Sequence, residues 1–411
     1  MKRAETRVQR QTEAASCLSE FRTAVSLHSH TFHSKESLDF LPYFLAAHRV
    51  PFLSSWFQAE LRRYESCHGK GIDFTRAYWT PPVSPSMVFA SEADQIEHKL
   101  SLKPIVSITD HDTLAAPLSL RCQPDPIPAP LSVEWTIPFA GNSFHVGVHH
   151  LPPACAEEVM KELSIYTAGS DESRLSDLLA LLDSFPQVLL VLNHPWANFA
   201  WVDKETHRRT LLDFLAKYRS WIHALEFNGI RPCSENRRAL ELAEQNDLPV
   251  VGGGDRHGCR PCTVLNLTRT REWGEYVEQV RHDRTNDVLV MRTYEEPVQL
   301  RKLAVAGDVL RHYPHYPEGR RRFTDRIFAS LDGDGWHSLT HHWGQTSPPT
   351  WVWPAVKATV GLASDHVRPI LAWLFSLRGG AQELAAWPMA DISPRDAATP
   401  SSRASAPGGL T

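Results

Sequence analysis

At 411 residues the chain can bury one large core or two ordinary ones, and 42% hydrophobic with 22% charged residues is a globular composition. A formal net charge of −4 provides no bulk attraction to nucleic acid or to an anionic membrane. That argues against a DNA-coating role but leaves a nucleotide or a strand end open as substrate.

The opening Met1-Lys-Arg-Ala-Glu-Thr-Arg is charged and lacks the apolar stretch of a secretory signal. No run approaches the ~20 apolar residues of a membrane span. The seven cysteines are odd in number and scattered, which suits a reducing compartment. These features together predict a cytoplasmic protein without membrane association.

Residues 1–20 read as an N-terminal segment and 21–295 as one α/β unit. Short apolar runs at 24–27, 105–108, 188–192, 224–225 with Phe227, and 248–251 have the pattern of buried parallel strands. Helical stretches fall between them at 92–100, 157–163, 176–183, 210–218 and 234–245. This alternation is the signature of β/α units, and barrels of such units take their catalytic groups from the C-terminal strand ends.

Residues 40–88, rich in aromatics and prolines, interrupt the rhythm after the first strand. An insertion there would emerge over the barrel mouth as a lid, a substrate collar or a structural flap. After Leu267 the spacing predicts helices at 273–284, 297–306 and 356–377, so 296–390 reads as a mainly helical extension. Arg320-Arg-Arg322 with Arg326 reads as a solvated basic face. Cys259-Arg-Pro-Cys262 lacks the second pair of a zinc knuckle and reads as packing. Leu331-Asp-Gly-Asp-Gly lacks the ligand series of a calcium loop. Residues 391–411, rich in Ala, Ser, Pro and Gly, read as a disordered tail.

Chemistry-bearing side chains gather where the predicted strands end: His28-Ser-His30, Thr109-Asp110-His111, Asn193-His194-Pro195 and Gly254-Asp255-Arg256-His257. Residues two apart on a strand point the same way, so His28/His30 and Asp255/His257 can each grip a metal as a pair. A series of such strand ends predicts a polynuclear metal site at the mouth of a parallel barrel. Glu226, in Leu-Glu-Phe-Asn228, is suited to orienting a ligand. Arg231, Arg256 and Arg260 fall in mouth loops, where a guanidinium could clamp a phosphate.

His28-Ser-His30-Thr, Thr-Asp-His111-Asp-Thr, Glu134 ahead of a His145-Val-Gly strand, Asn-His194-Pro and Gly-Asp255-Arg-His257 occur in this order between about residues 22 and 265. Together they resemble the PHP (polymerase and histidinol phosphatase) superfamily of metal-dependent phosphoesterases. The resemblance implies a distorted (β/α)7 barrel and a trinuclear site of zinc, manganese or iron. Carried over position by position, it implies the ligands His28, His30, Glu36, His111, Glu134, His145, His194, Asp255 and His257. Of these, His28, His30, His111, Asp255 and His257 would be catalytic, and His149 is the spare ligand should His145 not serve. The implied activity is hydrolysis of a phosphate ester of a small metabolite or nucleotide by a metal-bound hydroxide. A nuclease acting on strand ends and a non-catalytic metal-binding module are the alternatives.

The chain departs from the family pattern in three places. Ser26 stands where the family commonly has Asp. Lys35 occupies the usual acidic position beside Glu36, and pointed inward it could contact a substrate phosphate. The 40–88 insertion is longer than usual.

Overall fold

The computed structural model describes residues 2–11, 18–41, 51–69, 73–330, 335–345, 349–376 and 390–391. In chain order the first half contains β1 (Glu5–Arg10), β2 (Thr23–Ser29), β3 (Glu36–Ser37), α1 (Pro51–His68), β4 (Ala77–Trp79), α2 (Pro85–Leu100), β5 (Lys103–Val106), α3 (Ala115–Arg121), β6 (Val133–Phe139) and β7 (Asn142–His149). Next come α4 (Ala156–Gly169), α5 (Leu175–Asp183), β8 (Leu189–Asn193), α6 (Lys204–Tyr218), β9 (Ala224–Asn228), α7 (Cys233–Gln245), β10 (Val250–Arg256), β11 (Val264–Thr268), α8 (Trp273–Glu278) and β12 (Thr285–Val290).

The result is a mixed α/β fold on one large sheet. Pairing runs β1-β12-β11-β2-β10-β9-β8-β7-β6, with β5 also on β2. β5, β2, β10, β9 and β8 pair in parallel, as the apolar runs predict. Every residue of β2, β8, β9 and β10 is buried, which is why these strands read as continuous apolar runs rather than alternating ones. An isolated parallel bridge, His111 to Glu134, links the chain beyond β5 to β6.

The sheet is not all parallel, contrary to expectation. β6 and β7 form an antiparallel hairpin, and β7 pairs antiparallel with β8. Its two-residue turn has positive φ at both Ala140 (47°) and Gly141 (73°), the handedness that matches strand twist. Ala-Gly is a weaker hairpin signal than Asn-Gly, so the turn is hard to read from sequence. The helices bury one apolar stripe. In α5, Leu175, Leu178, Leu179 and Leu182 repeat at helical spacing and are all buried, and removing one such side chain costs on the order of 2–5 kcal/mol.

The C-terminal extension contains α9 (Val298–Leu310), α10 (Phe323–Arg326), β13 (Ile327–Ala329), β14 (His337–Ser338), α11 (Leu339–Gln345), α12 (Val352–Leu362), α13 (Arg368–Ser376) and β15 (Ala390–Asp391), the last pairing with β1. The helix expected at 356–377 is therefore two helices. The extension also adds strands: β14, β13, β4 and β3 form a second small sheet. This sheet joins the segment after the first ligand loop, the insertion and the extension. Within residues 1–20, β1 pairs along its whole length with β12 and so joins the large sheet. Residues 42–50 and 70–72 of the insertion, the sequence 331–334 and the tail beyond Asp391 lie outside the described residues. Among the described residues, no helix is long and apolar enough to cross a membrane.

Candidate metal centre

The site begins at a break in strand pairing. β2 and β10 match Leu27 to Gly253 and then Ser29 to Arg256, so Gly254 and Asp255 together oppose His28. Such a bulge re-aims side chains. His28 (φ 64°), His194 (φ 26°) and Asp255 (φ 49°) are all left-handed, a conformation that costs a non-glycine residue about 1–3 kcal/mol each. This strain falls at the ends of β2, β8 and β10, on the side of the sheet where the candidate ligands gather. The His28 and His30 Nε2 atoms converge to 3.1 Å. Simple strand alternation, the expected reason for their pairing, is not the cause, since His28 is out of the extended conformation.

Glu134 lies at the centre, fully buried. Its Oε2 is 3.0 Å from His28 Nε2, 3.3 Å from His30 Nε2 and 3.4 Å from His111 Nδ1. Its Oε1 is 3.0 Å from His194 Nε2 and 3.4 Å from His145 Nδ1. Asp255 Oδ1 stands 3.7 Å from both His28 and His30 Nε2 and 3.4 Å from His257 Nδ1. Glu36 Oε2 reaches His111 Nε2 at 3.4 Å and His257 Nε2 at 3.2 Å. The structure thus brings together all nine residues carried over as ligands. Their donor atoms form overlapping groups that could each hold an ion: His30/Glu36/His111/His257, His28/His30/Glu134 and His111/Glu134/His145.

A second ring of polar groups holds these side chains. His28 Nδ1 meets Glu226 Oε1 at 2.5 Å, leaving Nε2 to face the centre. The other Glu226 oxygen accepts from the His194 backbone N–H (2.7 Å) and Asn228 Nδ2 (2.9 Å). Asn228 Nδ2 also donates to Asp255 Oδ2 at 3.0 Å. Although His28, His194 and Glu226 also have donors within reach of one ion, both Glu226 oxygens are engaged in support. A Cβ on Gly253 would collide with the Glu226 carboxylate, so the glycine at this position is what admits it. Asp110 accepts from the Thr31 N–H (2.5 Å) and hydroxyl (2.6 Å), anchoring the loop after His30, and burial pushes it up to about 6. Asn193 Nδ2 donates to Glu134 Oε1 at 2.9 Å. Sequence reasoning did not single out Asp110, Asn193 or Asn228, although each stands within two residues of a candidate ligand or of Glu226.

The electrostatics suit cations. Burial works against ionisation, yet the surrounding imidazoles hold Glu36, Glu134 and Asp255 well below the usual carboxylate range. Against the same burial, Glu36 with Glu134 raises His111 to about 9, and Glu36 with Asp255 raises His257 to about 9. His145 is driven down to about 4 by burial, and its buried Nδ1 has no hydrogen-bond partner. A neutral imidazole with an orphaned ring nitrogen next to a carboxylate could donate that nitrogen to a cation. Imidazoles and carboxylates in this mixture fit zinc, manganese or iron, whose binding would displace the histidine protons.

The expected substrate-binding residues fare differently. Arg256 is buried and cannot clamp a phosphate. Its guanidinium is spent on Glu92 (2.8 Å), Ser91 Oγ (2.7 Å) and the Gly258 and Cys259 carbonyls (both 3.0 Å). Lys35 does not point inward. Glu36 pairs across the small sheet with Trp79, whose ring packs 5.7 Å from His257, so the neighbouring Lys35 takes the opposite face, over Tyr78 (5.5 Å). Arg260 is tied to Asp365 at 2.7 Å. Arg231 stays at the mouth, over Phe199 (5.5 Å), and Phe199 stacks on His145 (4.4 Å). His149 bonds Ser107 Oγ at 2.8 Å inside the fold. The basic cluster is a solvated face only at Arg321 and Arg322, which are exposed. Arg326 is buried against the Val309, Arg311 and Arg320 carbonyls, and Arg320 lies on Phe32 (4.4 Å). Cys262 is buried with Sγ 3.3 Å from Ser29 Oγ, a packing position.

No protein-family profile and no curated protein matches the chain. Among solved structures it is similar to an amidohydrolase from Chromobacterium violaceum (13% identity, 44% of this chain and 84% of that one, TM-score 0.32). A proposed metal-dependent phosphoesterase from Bifidobacterium adolescentis matches at 18% identity, 43% and 84% coverage and TM-score 0.26. PsfC from Pseudomonas syringae matches at 13% identity, 67% and 93% coverage and TM-score 0.36. Likeness at this level says nothing about activity.

Proposed function

We propose that the chain is a metal-dependent hydrolase of PHP type that cleaves the phosphate ester of a small metabolite or nucleotide. The observation that carries the reading is Glu134, one buried carboxylate with five imidazoles within 3.4 Å of its oxygens. A purely structural carboxylate needs one or two partners. Five imidazoles around it, with Asp255 and Glu36 behind them, suit a carboxylate shared between ions, and nine ligands suit three of them. The reading includes a seven-stranded ring of β2, β5, β6, β7, β8, β9 and β10, with the His111–Glu134 bridge at the one weakly paired step.

Divalent cations bound there would polarise a phosphoryl group and lower the pKa of water. The chain supplies the rest. Glu36, Glu134 and Asp255 offset cation charge, while Glu226 fixes the His28 tautomer. Phe199 and Trp79 wall the mouth against water. His111 and His257 are the least buried of the six candidate ligand histidines, with side chains 15% and 13% exposed, and are placed to hold or pass a proton at the rim. We favour the small ester over a strand end because Arg326 is buried against backbone carbonyls and Arg320 lies on Phe32, leaving Arg321 and Arg322 as the exposed part of the basic cluster.

The test is metal analysis together with a phosphate-release screen. Metal-depleted protein is reloaded with Mn²⁺ or Zn²⁺ and offered nucleotides, sugar phosphates and short 5′-phosphorylated oligonucleotides. We expect about three ions per chain, following the ligand count, and EDTA-sensitive release from a small monoester. Fewer than one tightly bound ion after reloading overturns the reading.

A further inference from the structure

We infer, resting on the hydrolase reading above, that Arg231 and Lys302 form a second anion subsite at the mouth, so that the substrate is a phosphate ester whose carbon skeleton bears another anionic group. Arg231 sits on Phe199, one ring layer from His145, and therefore one small molecule's reach from the metal centre. Its Nε is buried without a hydrogen-bond partner, and the nearest carboxylate, Glu235, stands off at 3.7 Å. Trp196 Nε1 and Asn198 Oδ1, on the adjoining loop after β8, are also buried and unpartnered. Natural proteins leave few such groups, and Arg231 Nε and Glu235 Oε1, both unpartnered and held 3.7 Å apart, indicate that something else completes them.

The C-terminal extension brings the second cation. Tyr294 and Arg301 both donate to the Arg231 carbonyl, at 3.1 and 3.2 Å, docking the start of α9 on this loop. Lys302 follows directly, on the solvent-exposed side of that dock, with no hydrogen-bond or ion-pair partner among the described residues. Desolvation by the surrounding protein and then repulsion from Arg231 lower its pKa, while Glu235 and Asp255 draw it the other way. Arg231 and Lys302 thus act on one another through space, and the nearest carboxylate of Arg231, Glu235, is too far off for a hydrogen bond. A planar guanidinium fork beside a mobile ammonium recognises a carboxylate or a phosphoryl group.

The test uses two non-hydrolysable probes, phenylphosphonate and 4-carboxyphenylphosphonate, titrated calorimetrically into Mn²⁺-loaded protein. The carboxylated probe should bind at least about tenfold tighter, the effect of one charge-assisted hydrogen bond. In Lys302→Gln and Arg231→Gln that preference should fall toward one, with Lys302→Arg retaining it and circular dichroism showing each variant folded. Equal binding of both probes to the wild type overturns the subsite and leaves the hydrolase reading standing. A preference that survives both substitutions also overturns it. Failure of both probes to bind overturns both.

Discussion

His28 Nδ1 and Glu226 Oε1 stand 2.5 Å apart inside the fold, and the opposite ring nitrogen of His28 faces Glu134. One carboxylate thereby sets which nitrogen of a candidate ligand is free. Glu226→Gln should weaken metal binding roughly 10–100-fold, as removal of such supports does elsewhere. Competition with a fluorescent chelator reads this directly. Unchanged affinity in a folded variant would show that Glu226 only fills space.

Asp255→Asn and His194→Ala should each abolish turnover while leaving a folded protein. Both contact the centre from strained backbone positions, and Asp255 also offsets the charge of its neighbours. A folded variant with near wild-type kcat and unchanged metal content would mean that the site lies elsewhere.

Arg256→Ala should destabilise the fold by about 3–5 kcal/mol, because it strands the buried Glu92 carboxylate without its ion partner. Urea unfolding measures the loss. A change under 1 kcal/mol would point instead to a solvent-accessible guanidinium, as expected of a phosphate clamp.

Two deletions separate the parts of the insertion. Replacing residues 45–69 with a Gly/Ser linker should leave hydrolysis of p-nitrophenyl phosphate, since the nine candidate ligands all lie outside that stretch. Extending the deletion through β4 removes the strand that pairs Glu36 with Trp79 and carries Thr80 to the Arg326 carbonyl (2.8 Å). The longer deletion should lose the ion held by Glu36, read as a lower metal stoichiometry. Equal stoichiometry in both would exclude the small sheet from supporting the centre.

Burial drives His149 down to about 3, so between that value and 6.5 the unfolded chain binds a proton that the native chain does not. Stability attributable to this residue is full above pH 6.5. It should fall as pH drops toward 3, by about 1.4 kcal/mol per unit. Urea midpoints in EDTA across this range should show a shallower pH slope for His149→Gln than for the wild type. Parallel slopes would mean that His149 titrates alike in both states.

The sequence by itself determined which residues can do chemistry and where along the chain they fall. HxH, TDH, NHP and GDxH are local patterns, and the apolar runs before them mark β2, β5, β8, β9 and β10 because doubly buried strands must be continuously apolar. Strands carrying interior polar residues, such as β11 with Asn266 and β12 with Asn286 and Asp287, gave no such signal. Only the tertiary structure decided where each side chain points. The bulge that converges His28 and His30 exists because β2 and β10 slip register, a relation between segments more than 220 positions apart. Lys35 faces out and Glu36 in because β3 pairs with β4 across the insertion, and Arg256 is buried because α2 presents Glu92 to it. Side-chain direction follows from pairing register and from what a distant element packs against, and neither is encoded in the few residues of a motif.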